Sequence, residues 1–343
     1  MARKLASVQY VHDVWPIEGA DRVEAIGVLG WRCVAKKGEF EVGDWCVYFE
    51  IDSFLPVDER FEFLRASSYK NSDLLGEGFR LKTQRFRGQL SQGLALPIGV
   101  LPEGHYELGQ DVSELLGVRK WEIQERLSTN GTIVGVLPDG VPKTEETRIQ
   151  AEPGLLEELR GLPYYVTTKM DGTSLTMFLI DGRFGVCGHN YEYADDGGCS
   201  FWRFAHDRKI ESRMRETGVG NVVIQGEFCG GGIQGNPLKL IRPEWYVFSI
   251  SDAETRRRWP LDEMIAYCDD AGLVRVPVEE REDAFAYESV EALLERARGF
   301  YESGNVKEGI VVRPIEPVYS KLLQGPLSMK VINNDYLLKK HKK

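Results

Sequence analysis

One lysine in this sequence stands where it could act as a nucleophile. The run Tyr164-Tyr165-Val166-Thr167-Thr168-Lys169 is aromatic and β-branched, so it reads as a strand delivering Lys169 to a sheet edge. Met170, Asp171, Gly172, Thr173 and Ser174 follow at once. A lysine at its reference pKa of about 10.4 is protonated and not nucleophilic. Nearby cations or a metal favour the neutral amine, which can then attack phosphorus. Asp171 offers oxygen to a hard cation, and Gly172 lets the backbone approach a ligand closely. Taken alone, Lys-x-Asp-Gly is also a common turn between strands.

Four further segments follow in order. Ile224-Gln225-Gly226-Glu227-Phe228-Cys229-Gly230 is a strand ending in a carboxylate beside glycine. Trp245 to Ile250 is an aromatic strand containing Phe248, and Lys307-Glu308-Gly309 opens a strand with a carboxylate. Ser328-Met329-Lys330-Val331-Ile332 offers a second lysine. Each segment alone also fits a solvated strand end or ordinary core.

The elements around them alternate between strands and helices. Ser174–Ile180 and Arg183–Cys187 flank Asp181-Gly182, a hairpin turn signal. Residues 200–216 read as one helix stopped by Gly218, and 152–162 as a short helix stopped by Gly161 and Pro163. Ser289 caps a helix with Val290, Leu293, Leu294 and Ala297 at helical spacing. Hairpins mixed with helices predict an α+β fold with mainly antiparallel sheet. Residues 1 to about 120 read as all-β, a small barrel or sandwich: one strand over 26–34 interrupted at Leu29-Gly30, another over 45–51, a third over 93–98. Residues 121–160, with turn signals at Asn130-Gly131 and Pro138-Asp139-Gly140, read as a connector.

Length and composition bound the rest. At 343 residues, a prior of roughly 150 per domain suggests two domains. Hydrophobic residues at 42% and charged residues at 28% exclude general disorder. No apolar run reaches the roughly 18 residues of a membrane span, and no signal peptide is legible. Six cysteines without a C-x-x-C pair point to a reducing cytoplasm rather than a disulfide or zinc scaffold. The net charge of −10 argues against general charge-driven nucleic-acid binding but permits a local basic strip. Arg80, Lys82, Arg85 and Arg87 fit such a strip, with Phe79 and Phe86 interleaved, and equally fit a solvated edge strand protected by charge. If extended, it places Arg80 with Lys82 and Arg85 with Arg87 on shared faces. The basic tail Lys339-Lys340-His341-Lys342-Lys343 reads as solvated.

In their order, the five chemical segments resemble the motifs of the covalent nucleotidyltransferase superfamily: ATP-dependent DNA ligases, RNA ligases and mRNA capping enzymes. Lys169-Met170-Asp171-Gly172 looks like the nucleophile motif, and Gly226-Glu227 and Glu308-Gly309 look like its carboxylate motifs. Phe248 looks like the purine-stacking aromatic, and Lys330 like the distal lysine. The N-terminal half resembles the RNA ligase branch with an OB-type domain in front. The runs Gly19-Ala20-Asp21-Arg22-Val23-Glu24, Gly30 to Glu39, Gly43 to Ser53, Arg85 to Leu94 and Lys143 to Gln150 carry that likeness. Only about ten residues follow Ile332, too few for the C-terminal OB domain typical of DNA ligases and capping enzymes.

The resemblance implies an α+β nucleotidyltransferase (ATP-grasp-like ligase) domain over 161–343, a connector over 121–160 and a small OB-type barrel over 1–120. It implies an ATP-dependent RNA ligase that seals 3′-OH/5′-phosphate breaks, nicks in duplexes above all, through a lysyl-AMP intermediate. Lys169, Lys330, Glu227 and Glu308 are then catalytic. Thr168, Asp171, Gly172, Phe248, Arg148 and Gln150 join them around the nucleotide. Asp171, Glu227 and Glu308 would hold a divalent metal, magnesium or manganese, directly or through its waters. Lys36, Lys37, Arg80, Lys82, Arg85, Arg87, His189 and Asn190 would contact nucleic acid. The expected partner is RNA or an RNA-containing nicked duplex, met by a monomer away from membranes. Two departures stand out. Ser328 replaces the first lysine of an alternating pair, and Gly188-His189-Asn190 replaces Ser-Arg-Asn. The competing readings are a capping-type guanylyltransferase and a non-catalytic RNA-binding protein with a decayed nucleotide pocket.

Overall fold

The computed structural model describes residues 3–121 and 131–340, and these divide into two compact units. The expected turn residue Asn130 and the tail residues 341–343 lie outside the described residues. One unit comprises residues 1–125, 150–153 and 337–343; the other comprises 126–149 and 154–336.

The N-terminal unit is built from short antiparallel ladders. Trp45–Phe49 lies between Ala6–Tyr10 and Leu94–Pro97. Asp13–Pro16, Val23–Val28 and Trp31–Lys36 form a meander. Ser53–Pro56, Tyr69–Ser72, Gly76–Arg80 and Arg119–Lys120 make a third sheet. Its core gathers Val8, Val47, Phe49, Leu55, Phe61 and Phe79, all fully buried. The strand expected over 26–34 is two strands: Leu29 takes a left-handed conformation (φ 52°) and the chain reverses at Leu29-Gly30. Among the described residues the ladders remain separate small sheets rather than one closed barrel.

The larger unit carries two sheets. The six-stranded one is antiparallel throughout, in the order Ile133–Val136, Tyr191–Tyr193, Arg183–Cys187, Thr173–Ile180, Val222–Cys229, Glu244–Asp252. The five-stranded one runs Thr147–Arg148, Met329–Ile332, Gly309–Pro314, Tyr164–Lys169, Val278–Glu282; only its first pair is parallel. The segment read as a connector thus supplies an edge strand to each sheet. The helix read over 200–216 is two helices, Ser200–Asp207 and Ile210–Glu216, because Lys209 adopts φ 52° and breaks the hydrogen-bond run. Ser289 caps Val290–Arg296 as expected, its hydroxyl accepting from Ala292 N–H at 3.1 Å. Asp181 and Gly182 both take positive φ, as a two-residue hairpin turn requires.

The five-stranded sheet sorts its residues by the two-residue period of a strand. Tyr164 and Val166 enter a core with Leu155, Leu159 and Leu293. Tyr165 enters the other core, among Leu175, Met177 and Trp202. Lys169 shares the Tyr165 face. Cross-strand partners share a face, so Arg313, opposite Tyr165, lies there too, as do Lys330, opposite Val311, and Arg148, beside Lys330.

Candidate active site

Lys169 closes its strand and stands opposite Gly309 in the ladder. Its Nζ donates to Glu308 Oε2 at 2.8 Å. Glu308 precedes the partner strand, and Gly309 after it takes φ 153°. A Cβ at Gly309 would stand 2.1 Å from the Val331 carbonyl oxygen, so only glycine fits this close crossing of strands. Gly172 is equally constrained: a Cβ there would meet the Phe228 carbonyl at 2.4 Å. With hydrogen in its place, Gly172 N–H donates to Glu227 Oε1 at 3.0 Å. Asp171 is buried and accepts from the Tyr336 hydroxyl at 2.8 Å.

The charges here do not balance. Burial pushes the Glu227 carboxyl up to about 7; Lys169 opposes this, and Glu308 and Asp171 reinforce it. Burial works against the Lys169 ammonium, but Glu308, Glu227 and Asp171 outweigh it and hold the group above its ordinary value. One lysine thus faces three carboxylates. Such a donor set, oxygen-only and over-charged, suits a hard divalent cation and a phosphate-bearing substrate together. The three carboxylates are each engaged with a different protein donor. Among the described residues no three His, Cys, Asp or Glu side chains converge as a metal cage. The residues fit a cation held through its waters.

Phe248 sits at a β-bulge: Gln225 pairs with Ser249 and Gly226 with Val247, leaving Phe248 between them. A bulge re-aims a side chain out of the ladder's alternation. The half-buried ring packs beside the cluster of Met170, Cys229, Val276 and Tyr301. Arg313, almost fully buried, lies over it with its guanidinium carbon 5.8 Å from the ring centroid, and Nη1 donates to the Phe248 carbonyl. Arg313 Nη2 also pairs with Glu146, which Arg258 approaches to 3.7 Å. Burial opposes the Glu146 charge, but Arg313 and Arg258 hold its carboxyl below the ordinary value. The sequence reading passed over Glu146 and Arg258. An arginine inside the apolar run Ile310-Val311-Val312-Arg313-Pro314 was the available signal for a buried ion pair.

Other expected residues divide. Lys330 and Arg148 pair in register on the Lys169 face. Thr168 does not point with them. As the neighbour of Lys169 in a strand it faces the other way, where its hydroxyl donates to Glu279 at 2.7 Å. Glu279 belongs to a network that the sequence reading missed. Lys307 Nζ donates to both its oxygens at 2.7 Å, and Arg296 bridges Glu279 and Glu280. Gln150 is fully buried in the N-terminal unit, where its carbonyl accepts from Gly30 N–H.

The cationic strip is not one extended ribbon. Arg80 pairs with Asp52 at 3.4 Å and lies over the Trp121 ring at 4.8 Å. Lys82 follows the strand end and is half-buried. Arg85 lies in Gln84–Phe86, but Arg87 takes φ 47° in the turn to Gln89–Ser91, so the shared face expected for Arg85 and Arg87 is lost. Lys36 and Lys37 are exposed at the end of the meander. In the larger unit His189 Nδ1 lies 3.3 Å from Thr144 Oγ1, its Nε2 lies 3.6 Å from Glu145, and Asn190 is exposed.

The comparisons with known proteins agree with this architecture. A family described as an OB-fold domain matches residues 5–98, and the RNA ligase family matches residues 162–332. Naegleria gruberi RNA ligase with PPi is 35% identical, covers 99% of each chain and superposes at a TM-score of 0.90. A variant of that ligase solved with AMP and Mn is 35% identical over 99% of each chain, TM-score 0.90. Another, with ATP and Mn, is 34% identical over 99% of each chain, TM-score 0.90. No curated protein matches the chain. The chain belongs to the RNA ligase family. Among the described residues no helix is long and apolar enough to cross a membrane, which says nothing of a β-barrel.

Proposed function

We propose that this protein is an ATP-dependent RNA ligase that joins a 3′-hydroxyl to a 5′-phosphate through a lysyl-AMP intermediate. The observation that carries the reading is Lys169 at a strand end, paired to Glu308 and held among Glu227 and Asp171. The family membership and the ATP, AMP and Mn bound to the Naegleria ligase variants support it. In the first step the neutral Lys169 amine attacks the α-phosphorus of ATP. A P–N bond forms, the bond to pyrophosphate breaks, and Nζ loses a proton toward its hydrogen-bonded partner, Glu308. In-line transfer of this kind depends on positioning and charge neutralisation. A divalent cation, when bound through water to Glu227, Glu308 and Asp171, supplies that neutralisation and favours the neutral amine. Lys330 and Arg148, in register on the same face, meet the phosphates, and Phe248 stacks on adenine. AMP then passes to a 5′-phosphate, and a 3′-hydroxyl displaces it.

The cations of the N-terminal unit, Lys36, Lys37, Arg80, Lys82, Arg85 and Arg87, track the RNA backbone, with His189 and Asn190 near the broken end. A nick in an RNA-containing duplex is the preferred substrate of this reading. Six free, buried cysteines suit a reducing cytoplasm. The test is sealing of a duplex with one 3′-OH/5′-phosphate RNA nick, run beside the same strands unpaired. Faster sealing of the nick supports the reading. An adenylylated enzyme that joins neither substrate contradicts it.

A further inference from the structure

Tyr301 is buried, lies outside both sheets and was not legible in the sequence as part of the site. Its hydroxyl donates to the Lys169 carbonyl at 2.7 Å and accepts from the Glu308 N–H at 3.0 Å. These backbone groups flank the last pair of the ladder, Lys169 with Gly309. A single phenol oxygen thus bridges the two strand ends, joining the carbonyl of the nucleophile's own residue to the amide of its carboxylate partner. The Lys169 and Glu308 side chains leave their strands at this bridge and meet at 2.8 Å.

The ring is fixed as firmly as the hydroxyl. It packs with Met170, Cys229 and Val276. Its loop closes through Tyr301 N–H to the Asn305 carbonyl at 2.8 Å. Ser303 Oγ and Asn305 Nδ2 each donate to the Pro237 carbonyl at 2.7 Å. Lys239 Nζ donates to the Ser303 carbonyl at 2.9 Å. The loop after Glu227 therefore anchors the loop whose tyrosine bridges Lys169 and Glu308.

We infer that Tyr301 is a positioning residue for the attack of Lys169: its hydroxyl sets the spacing of the two strand ends and so the placement of the nucleophile. The inference rests on the lysyl-AMP reading above. It concerns the first step alone, because lysine is not the nucleophile once a 5′ end is already adenylylated. Misplacement by about 1 Å costs on the order of 100-fold in rate.

The experiment compares the full chain with Tyr301→Phe in two assays. Single-turnover adenylylation with ATP and Mn over a range of ATP concentrations gives the rate constant and the apparent affinity. Sealing of pre-adenylylated RNA at a nick reports the later step and the folded fraction. Tyr301→Phe is expected to lose ~10–100-fold in the adenylylation rate constant with ATP affinity within about twofold, and to keep pre-adenylylated sealing within about twofold. Asn305→Ala, which loosens the loop but keeps the hydroxyl, is expected to show the same selective loss at ~3–10-fold. Equal rates in variant and wild type, a loss confined to ATP affinity, or equal losses in both assays would overturn the inference. A wild-type protein that forms no adduct would instead overturn the reading beneath it.

Discussion

Two charged clusters lie on opposite faces of the strand that ends in Lys169. On one face Lys169 meets Glu308, Glu227 and Asp171. On the other, Lys307 and Arg296 meet Glu279 and Glu280, with Thr168, Tyr164 and Tyr287 completing the hydrogen bonds. The second cluster balances two cations against two carboxylates. Burial opposes the Glu279 and Glu280 charges, yet their partners hold both carboxyls below the ordinary value. The first cluster has one cation for three carboxylates, and one carboxyl rises to about 7. A balanced cluster completes itself with the chain's own atoms and serves the fold. An unbalanced one is complete only with a bound cation, and perturbed groups of this kind gather at functional sites.

The largest expected effect separates the two clusters by chemistry. Glu227→Gln should lower the rate of adduct formation by 100-fold or more while leaving thermal stability equal or higher, because it removes a repelled charge. Quenched-flow adenylylation and calorimetry on the same sample check both halves. A fall in stability matching the fall in rate would erase the distinction.

Arg296→Met should do the reverse. It strands Glu279 and Glu280, and a cost of about 2–3 kcal/mol follows, below the ~3–5 for a fully buried pair because Arg296 keeps a quarter of its exposure. Denaturant titration measures the cost. Adduct formation by the folded fraction should stay within about threefold.

The pH dependence carries opposite signs in the two clusters. Glu227 binds its proton more tightly folded than unfolded. Its contribution is therefore full below about pH 4.5 and is lost as pH rises through about 7, so wild-type stability declines relative to Glu227→Gln over that window. Glu279 and Glu280 bind protons less tightly when folded. Their contribution is present above the unfolded value, and the wild-type advantage over Arg296→Met shrinks as pH falls through the acid range. Parallel curves for the two variants would contradict the assignment.

The smallest effect tests the N-terminal unit. Neutralising Arg85 and Arg87 together should weaken RNA binding several-fold and flatten its salt dependence by about two charges, with adduct formation unchanged. Unchanged sealing and salt slope would remove these residues from the RNA contact.

The order of chemical motifs was legible because each motif is a short run that the backbone keeps together. Lys169-Met170-Asp171-Gly172 carries its strand end, its carboxylate and its close-approach glycine in four positions. The strand period was legible too, and it explains why the Thr168 hydroxyl joins the balanced cluster and not the Lys169 face. What stayed hidden depends on distant pairing or on backbone sign. Tyr301 reaches Lys169 across 132 residues, and Tyr336 reaches Asp171 across 165. Arg87 and Lys209 take left-handed conformations that few non-glycine residues adopt, so the strip and the long helix read as continuous. The bulge at Phe248 leaves the aromatic run unbroken in sequence while turning one ring out of register.

The central claim is that the unbalanced lysine forms a covalent bond to a nucleotide. Intact mass of the full chain, after incubation with ATP and Mn, tests it most directly, with GTP and Lys169→Ala in parallel. The account predicts a gain of one AMP with ATP, none with GTP, and none in the variant. An adduct that survives Lys169→Ala, or a wild-type protein, first cleared of any pre-existing adduct, that gains no mass with ATP, would contradict it.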